Sequence, residues 1–374
     1  MDLAWSPEEV ALHDRMRSCQ PEDGADWKTL ANAQVMALPV PEEYGGLGLS
    51  PLSCAYGLEG LGYGCRDIGL LVRAGAHLWA VEVPLLRYGS EQQRRDYLPG
   101  LAEGRLVGAH AITEAESGSD ALAMSAVARR RRDGGGYVLN GRKRFVTNAP
   151  EADVFLVYAT LGRELGFTGV TAFLVERDNP GLRVETELRK AGLESCPWGQ
   201  VVLEQCEVGP EALLGAEKQG SEIFGVVMAW ERTLILAPLL GAMERQIEEC
   251  VERARTRRQF GRRISAYQAV THRIVEMRHR LETSRGLVRA AAWELGAGLE
   301  QPRDAPSFLP EMAKLHVSEA AVATFDDAIQ IFGALGYTED AGIERRLRDA
   351  LGTRISSGTS DMQREVIAGK LGLR

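Results

Sequence analysis

Paired cysteines are missing from this sequence. Its six cysteines (Cys19, Cys54, Cys65, Cys196, Cys206 and Cys250) are scattered over 374 residues, with no CxxC pair and no ligand-like spacing to the histidines. That excludes a disulfide framework, predicts reduced thiols in a cytoplasmic protein and leaves no metal site to expect. Excess positive charge is missing as well: the net charge is -8 and the pI about 5.5, which argues against nucleic acid as a partner. The one dense basic run, Arg129–Arg132, is followed at once by Asp133 and three glycines and reads as the solvated edge of a hairpin. The opening MDLAWSPEEV has neither a basic region nor an apolar signal core, so nothing in it suggests export. Ile223–Met243 is the only stretch that suggests a membrane span, and Glu231 and Arg232 inside it make crossing costly, so no span is expected. What is present, 45% hydrophobic and 26% charged residues, is the ordinary composition of a soluble protein long enough for two or three packed layers.

Helical patterns flank a strand-rich middle. Over 1–106, Ser6-Pro7-Glu8-Glu9 is a helix start with a serine cap and a proline in the first turn. Ser90-Glu91-Gln92-Gln93 opens another helix after a stop at Tyr88-Gly89. Over 107–216, short runs rich in Val, Phe, Tyr and Leu predict strands at Tyr137–Leu139, Arg144–Thr147, Val154–Ala159, Val170–Val175, Val184–Glu187 and Val201–Leu203, joined by turns such as Asn140-Gly141. Over 217–374 the pattern is helical again (223–256, 264–296, 308–332, 340–352 and 360–371), broken at Gly261 and at Pro302–Ser307. The order predicts an α+β fold: an N-terminal helical domain, a central antiparallel sheet or barrel, and a C-terminal helical domain.

The stretch Met228–Gln268 organises the rest. Leu236, Leu239, Leu240, Met243, Ile247, Cys250 and Val251 return at three- and four-residue steps, as on one face of a helix. Glu231 lies in its apolar part, where a carboxylate is costly unless paired or functional. Arg232 cannot pair with it along one face, because successive residues point about 100° apart. Taken alone, the pair reads as a helix end whose charges reach water. His77, His272 and His316 read as surface or satisfied core residues, and Trp198 as loop packing.

Five motifs change that weighing. They are Ala109-His-Ala-Ile-Thr-Glu-Ala-Glu-Ser-Gly-Ser-Asp120, Asn140-Gly-Arg-Lys-Arg-Phe-Val-Thr-Asn148, Arg257-Arg-Gln-Phe-Gly261 with Gln268, Ala328-Ile-Gln-Ile-Phe-Gly333, and Arg348-Asp-Ala-Leu-Gly-Thr-Arg-Ile-Ser-Ser-Gly-Thr359. In order and spacing, over essentially the whole chain, they resemble the acyl-CoA dehydrogenase family. The resemblance implies that the C-terminal helices form a four-helix bundle and that FAD is the cofactor. It implies that Ile112, Thr113, Phe145 and Thr147 flank the flavin ring, with Gly118 and Ser119 at its pyrophosphate. It also implies that Arg257, Gln259, Phe260, Gln268, Gln330 and Gly333 reach the adenosine half from a neighbouring subunit, in a dimer or tetramer, and that Thr359 and Asp361 complete the cofactor site.

Two departures stand out. Ala334 follows Gly333 where relatives often have a second glycine, and Ser357 stands where most carry the catalytic glutamate. A serine cannot take a proton at neutral pH without its own base. A branch that includes isovaleryl-CoA and long-chain types instead places its base in a Glu-Arg pair on the helix before the RxxFG corner, and Glu231-Arg232 has that spacing. The resemblance then implies that Glu231 removes the α-proton of an acyl thioester while the β-hydrogen leaves as hydride to flavin N5, giving an enoyl thioester. Arg232, Ser356, Ser357 and His110 would line the substrate pocket. The acyl group could ride on CoA or on an acyl carrier protein; an already α,β-unsaturated thioester with γ,δ-desaturation is a further alternative. So are a flavin monooxygenase or oxidase and a catalytically silent subunit on the same fold. An electron-transfer flavoprotein is the family's default electron acceptor.

Overall fold

A computed structural model describes residues 5–19, 26–185, 188–300 and 307–373. The end of the expected strand at Val184–Glu187 and most of the expected break at Pro302–Ser307 lie outside the described residues.

Six helices come first: α1 (Pro7–Arg17), α2 (Trp27–Asn32), α3 (Pro51–Gly64), α4 (Ile68–His77), α5 (Val83–Tyr88) and α6 (Glu91–Ala102). Both predicted starts are capping boxes, Ser6 with Glu9 and Ser90 with Gln93. Between α4 and α5 the helix does not stop but widens into a π-turn, Leu78–Glu82, fully buried.

An eight-stranded sheet follows: β1 (Gly108–Ala111), β2 (Val127–Arg130), β3 (Tyr137–Thr147), β4 (Val154–Thr160), β5 (Val170–Glu176), β6 (Leu182–Glu185), β7 (Trp198–Val208) and β8 (Leu213–Leu214). Its order is β6-β7-β3-β2-β4-β5-β8, with β1 beside β4. The sheet is mixed rather than purely antiparallel, because β1 and β2 both run parallel to β4. The expected turn at Asn140-Gly141 is not there either. The two short strands on either side of it are the ends of the single strand β3, which shifts register against β7 between Leu139 and Gly141. Gln205 N–H donates to the Asn140 side chain across that shift, so the pair marks a bulge. The chain reverses earlier, where Arg131 N–H donates to the Gly136 carbonyl.

The C-terminal region contains α7 (Gly220–Leu234), α8 (Ala237–Thr256), a two-stranded hairpin of β9 (Arg258–Gln259) and β10 (Arg262–Arg263), α9 (Gln268–Glu300), α10 (Leu309–Phe332), α11 (Ile343–Thr353) and α12 (Ser360–Lys370). The single helix expected over 223–256 is two. Apolar residues continue across the break, and Pro238 sits in the first turn of α8. Ile68–Tyr88 is a second segment long and apolar enough to cross a membrane, and its residues 68–85 are all buried in the fold.

Three cores position the site. One lies between α3, α4 and α8–α11, one on the face of the sheet that carries Phe155 and Val157, and one between the opposite face of β4 and β5 and the helices α5, α6 and the start of α7. The last places Tyr158 of β4 against Phe224 of α7, so α7 lies directly on the sheet.

Candidate active site

Glu231 lies one turn before the end of α7 and is 7% exposed. Phe224, Val227 or Met228, and Glu231 recur at helical steps, so the carboxylate extends an otherwise apolar stripe. Its one direct hydrogen bond among the described residues comes from the Ser357 hydroxyl, at 2.9 Å. Burial pushes its pKa up to about 7, against the pull of the Ser357 hydrogen bond and the Arg232 and Lys314 cations. A carboxyl group poised there is an effective proton acceptor near neutral pH.

Ser357 is held from several sides. Its φ is 53°, and Gly358 after it is at 88°, so the chain turns sharply beside Glu231. Gln363 of α12 donates to the Ser357 and Gly358 carbonyls at 3.1 and 2.9 Å. Lys314 of α10 donates to the Gly358 carbonyl at 2.6 Å. The Ser357 N–H donates to no backbone acceptor among the described residues. Arg232 points away from Glu231: it pairs with the buried Glu311 at 2.8 Å, and its Nε approaches the Ser357 carbonyl at 3.5 Å. Ser356 Oγ is buried without a partner among the described residues. Lys314, Glu311 and Gln363 escaped the sequence reading, although a lysine and a glutamate within an apolar helix were the available signal.

The remaining predicted residues form two groups. Ile112, Thr113, Phe145 and Thr147 lie together at one end of the sheet. Arg144 N–H donates to the Thr113 carbonyl at 2.8 Å, and Thr147 pairs with Trp198 across β3 and β7. The Phe145 ring meets the Trp198 ring edge-on at 6.1 Å. Gly118 and Ser119 are exposed on the loop after β1, and a Cβ on Gly118 would meet nothing within 4 Å. That loop is anchored by buried Glu114, which accepts from Lys143 at 2.8 Å and from the Ala126 N–H at 2.9 Å.

The second group, Arg257, Gln259, Phe260, Gln268, Gln330 and Gly333, is wholly exposed. It gathers around the β9–β10 hairpin and the end of α10, where Arg253 packs over the Phe332 ring at 5.5 Å. Phe260 is 94% exposed at the tip of the hairpin. Among the described residues no hydrogen bond, ion pair or ring contact joins this group to the first. Thr359 caps α12, accepting from Met362 N–H at 3.1 Å, and Asp361 pairs with Arg364.

His110 lies on the same face of β1 as Ile112, with its Nε2 buried and unpartnered among the described residues. His77 is a satisfied core residue: Gly108 N–H donates to its Nδ1, and Glu82 and the Leu101 carbonyl lie at its Nε2.

Comparison with known proteins supplies the context. Residues 6–105, 109–206 and 218–372 match the family models of the acyl-CoA dehydrogenase N-terminal, middle and C-terminal domains. The chain is 45% identical over 347 residues to the L-prolyl-[peptidyl-carrier protein] dehydrogenase of Pseudomonas fluorescens, covering 93% of this chain and 90% of that one. It superimposes on the structure of PigA with FAD and proline with a TM-score of 0.94 at 37% identity, covering 100% of both chains. The prolyl acyl carrier protein oxidase AnaB gives a TM-score of 0.93 at 38% identity, covering 99% of this chain and 100% of that one.

Proposed function

Because the chain belongs to the acyl-CoA dehydrogenase family and takes FAD as its cofactor, we propose that it dehydrogenates an L-prolyl group carried as a thioester on a carrier protein. The observation that carries this reading is Glu231: a buried carboxylate on an apolar stripe, hydrogen-bonded by the serine of the 356–358 turn. The names of the relatives favour the carrier-protein substrate over a free CoA ester.

The residues at the end of the sheet fit a flavin. Half-exposed Phe145 offers a flat apolar surface, Thr113 and Thr147 supply hydroxyls, and the open loop at Gly118 admits a pyrophosphate. Arg257, Gln259, Phe260, Gln268, Gln330 and Gly333, all exposed, would serve the nucleotide half from a second copy of the chain. Thr359 and Asp361 would complete the cofactor site. When bound, FAD supplies the acceptor that takes the β-hydrogen with its electron pair. Glu231 takes the α-proton, and the C–H electron pair becomes the new carbon–carbon double bond. The Ser357 N–H polarises the thioester carbonyl and stabilises the charge that builds there. Ser357 Oγ holds the Glu231 carboxylate, and Arg232, tied to Glu311, fixes the turn through the Ser357 carbonyl.

The test is anaerobic flavin bleaching by a prolyl-loaded carrier protein, prolyl-CoA and free proline, in the wild type and in Glu231→Gln. The carrier-bound prolyl group should bleach the wild type fastest, and Glu231→Gln should slow this by about 10³-fold. Equal rates in the two proteins would sink Glu231 as the base, and bleaching by CoA esters alone would sink the carrier-protein substrate. The name of AnaB as an oxidase favours a second reading, direct reoxidation by oxygen, which admitting air to the bleached enzyme separates from transfer to an electron-transfer flavoprotein.

A further inference from the structure

Two buried polar atoms near the base have no role in the chemistry above. Tyr158 belongs to β4, whose seven residues are all buried, and its hydroxyl has no partner among the described residues. His110 lies on β1, which pairs with β4 in parallel and sets His110 opposite Leu156, two residues before Tyr158 and on the same face. Its Nε2 is likewise buried and unpartnered. The rings meet edge to face at 5.2 Å, and Phe224 of α7 packs against both, parallel to His110 at 6.4 Å and edge-on to Tyr158 at 6.3 Å. Phe224 and Glu231 are two turns apart on the same side of α7. The Glu231 carboxylate is close enough to help burial push the Tyr158 hydroxyl well above its ordinary range.

A buried hydroxyl and a buried imidazole nitrogen without partners are costly unless a ligand or water meets them. Burial holds His110 far below its ordinary value, at about 3, so its ring is neutral at any working pH. The two groups therefore offer one hydroxyl and one neutral imidazole beside a single carboxylate. A secondary amine, with one N–H and one lone pair, is complementary to that pair. A hydrocarbon ring of the same shape would leave both groups unsatisfied.

Resting on the function proposed above, we infer that Tyr158 and His110 form an amine subsite that selects a cyclic amino-acyl group over a carbocyclic one. The Tyr158 hydroxyl donates to the ring nitrogen's lone pair, and the ring N–H donates to the imidazole. The prolyl nitrogen is thus held uncharged, while Phe224, Val227 and Met228 face the ring carbons. Both residues are specificity determinants, distinct from the base.

The experiment compares carrier protein loaded with L-prolyl or with cyclopentanecarbonyl, which has the same ring without nitrogen. Anaerobic bleaching is followed in the wild type, Tyr158→Phe and His110→Phe, each first checked for flavin content and melting temperature. The wild type should favour prolyl, and each variant should lose roughly 10–100-fold of that preference, with the loss on the prolyl substrate. Equal losses on the two substrates, or no preference in the wild type, would overturn the subsite. A wild type bleached by the carbocycle but not by prolyl would overturn the prolyl reading itself and the inference with it. If only one variant folds with flavin bound, its ratio of the two rates decides.

Discussion

Ser357 stands where a glutamate is expected, and the consequence is read at the atom it touches. Its hydroxyl hydrogen-bonds Glu231 at 2.9 Å and so favours the charged carboxylate, partly offsetting the burial that pushes the pKa up to about 7. A base acts deprotonated, so the rate of flavin reduction should rise as pH passes about 7. Ser357→Ala removes a donor to the charged form and should move that rise to higher pH, read from bleaching rates between pH 6 and 9; an unmoved profile would separate Ser357 from the base. The same burial costs stability. Glu231 titrates near 4.5 when unfolded and about 7 when folded, so the folded state binds the extra proton in between. Stability is therefore lost as pH rises from 4.5 to about 7 and stays lost above it, by an upper bound of about 3 kcal/mol. Glu231→Gln should recover part of this at pH 8 and little at pH 4.5, a difference that thermal melts at the two pH values measure.

Among the elements, α3 and α8 cross most tightly. A Cβ on Gly62 would overlap the Pro238 carbonyl, and one on Gly241 the Glu59 carbonyl, so the two backbones touch where only hydrogen fits. Gly241→Ala gains helix propensity yet should lower stability by about 1–3 kcal/mol, because the helices must part; a melting temperature at or above wild type would refute the crossing. Helices and caps were the legible elements, because Ser6 and Ser90 announce them locally and the 3.6-residue period runs for several turns. The bulge at Asn140-Gly141 was not, since the same dipeptide makes a turn or a register shift according to what β7 presents opposite. Nor was the α7–α8 break, where apolar residues continue on both sides of Ile235 and Leu236. The parallel pairings of β4 depend on contacts far apart in sequence, which no local pattern carries.

Across the whole molecule, the sequence motifs singled out both groups of candidate cofactor residues and Glu231, because each belongs to a contiguous run of distinctive residues. Tyr158 was missed, while its neighbour His110 was not, since Tyr158 is one residue in an apolar strand and acquires meaning only when β1 and α7 are laid beside it. The second group of expected cofactor residues stands exposed, with Phe260 as a knob on the β9–β10 hairpin. Under the proposal that a second copy completes the cofactor site, this apolar side chain, 94% exposed on so tight a turn, is the group that would enter a pocket on that copy. Phe260→Ala should shift the elution of the assembly toward smaller species and lower the flavin content together; loss of neither would remove the hairpin from the cofactor site. That knob also has a consequence in mass action. A nucleotide held between two copies is released by diluting the protein as well as by removing the flavin, and adding flavin draws the copies together by the same free energy with which assembly tightens the flavin.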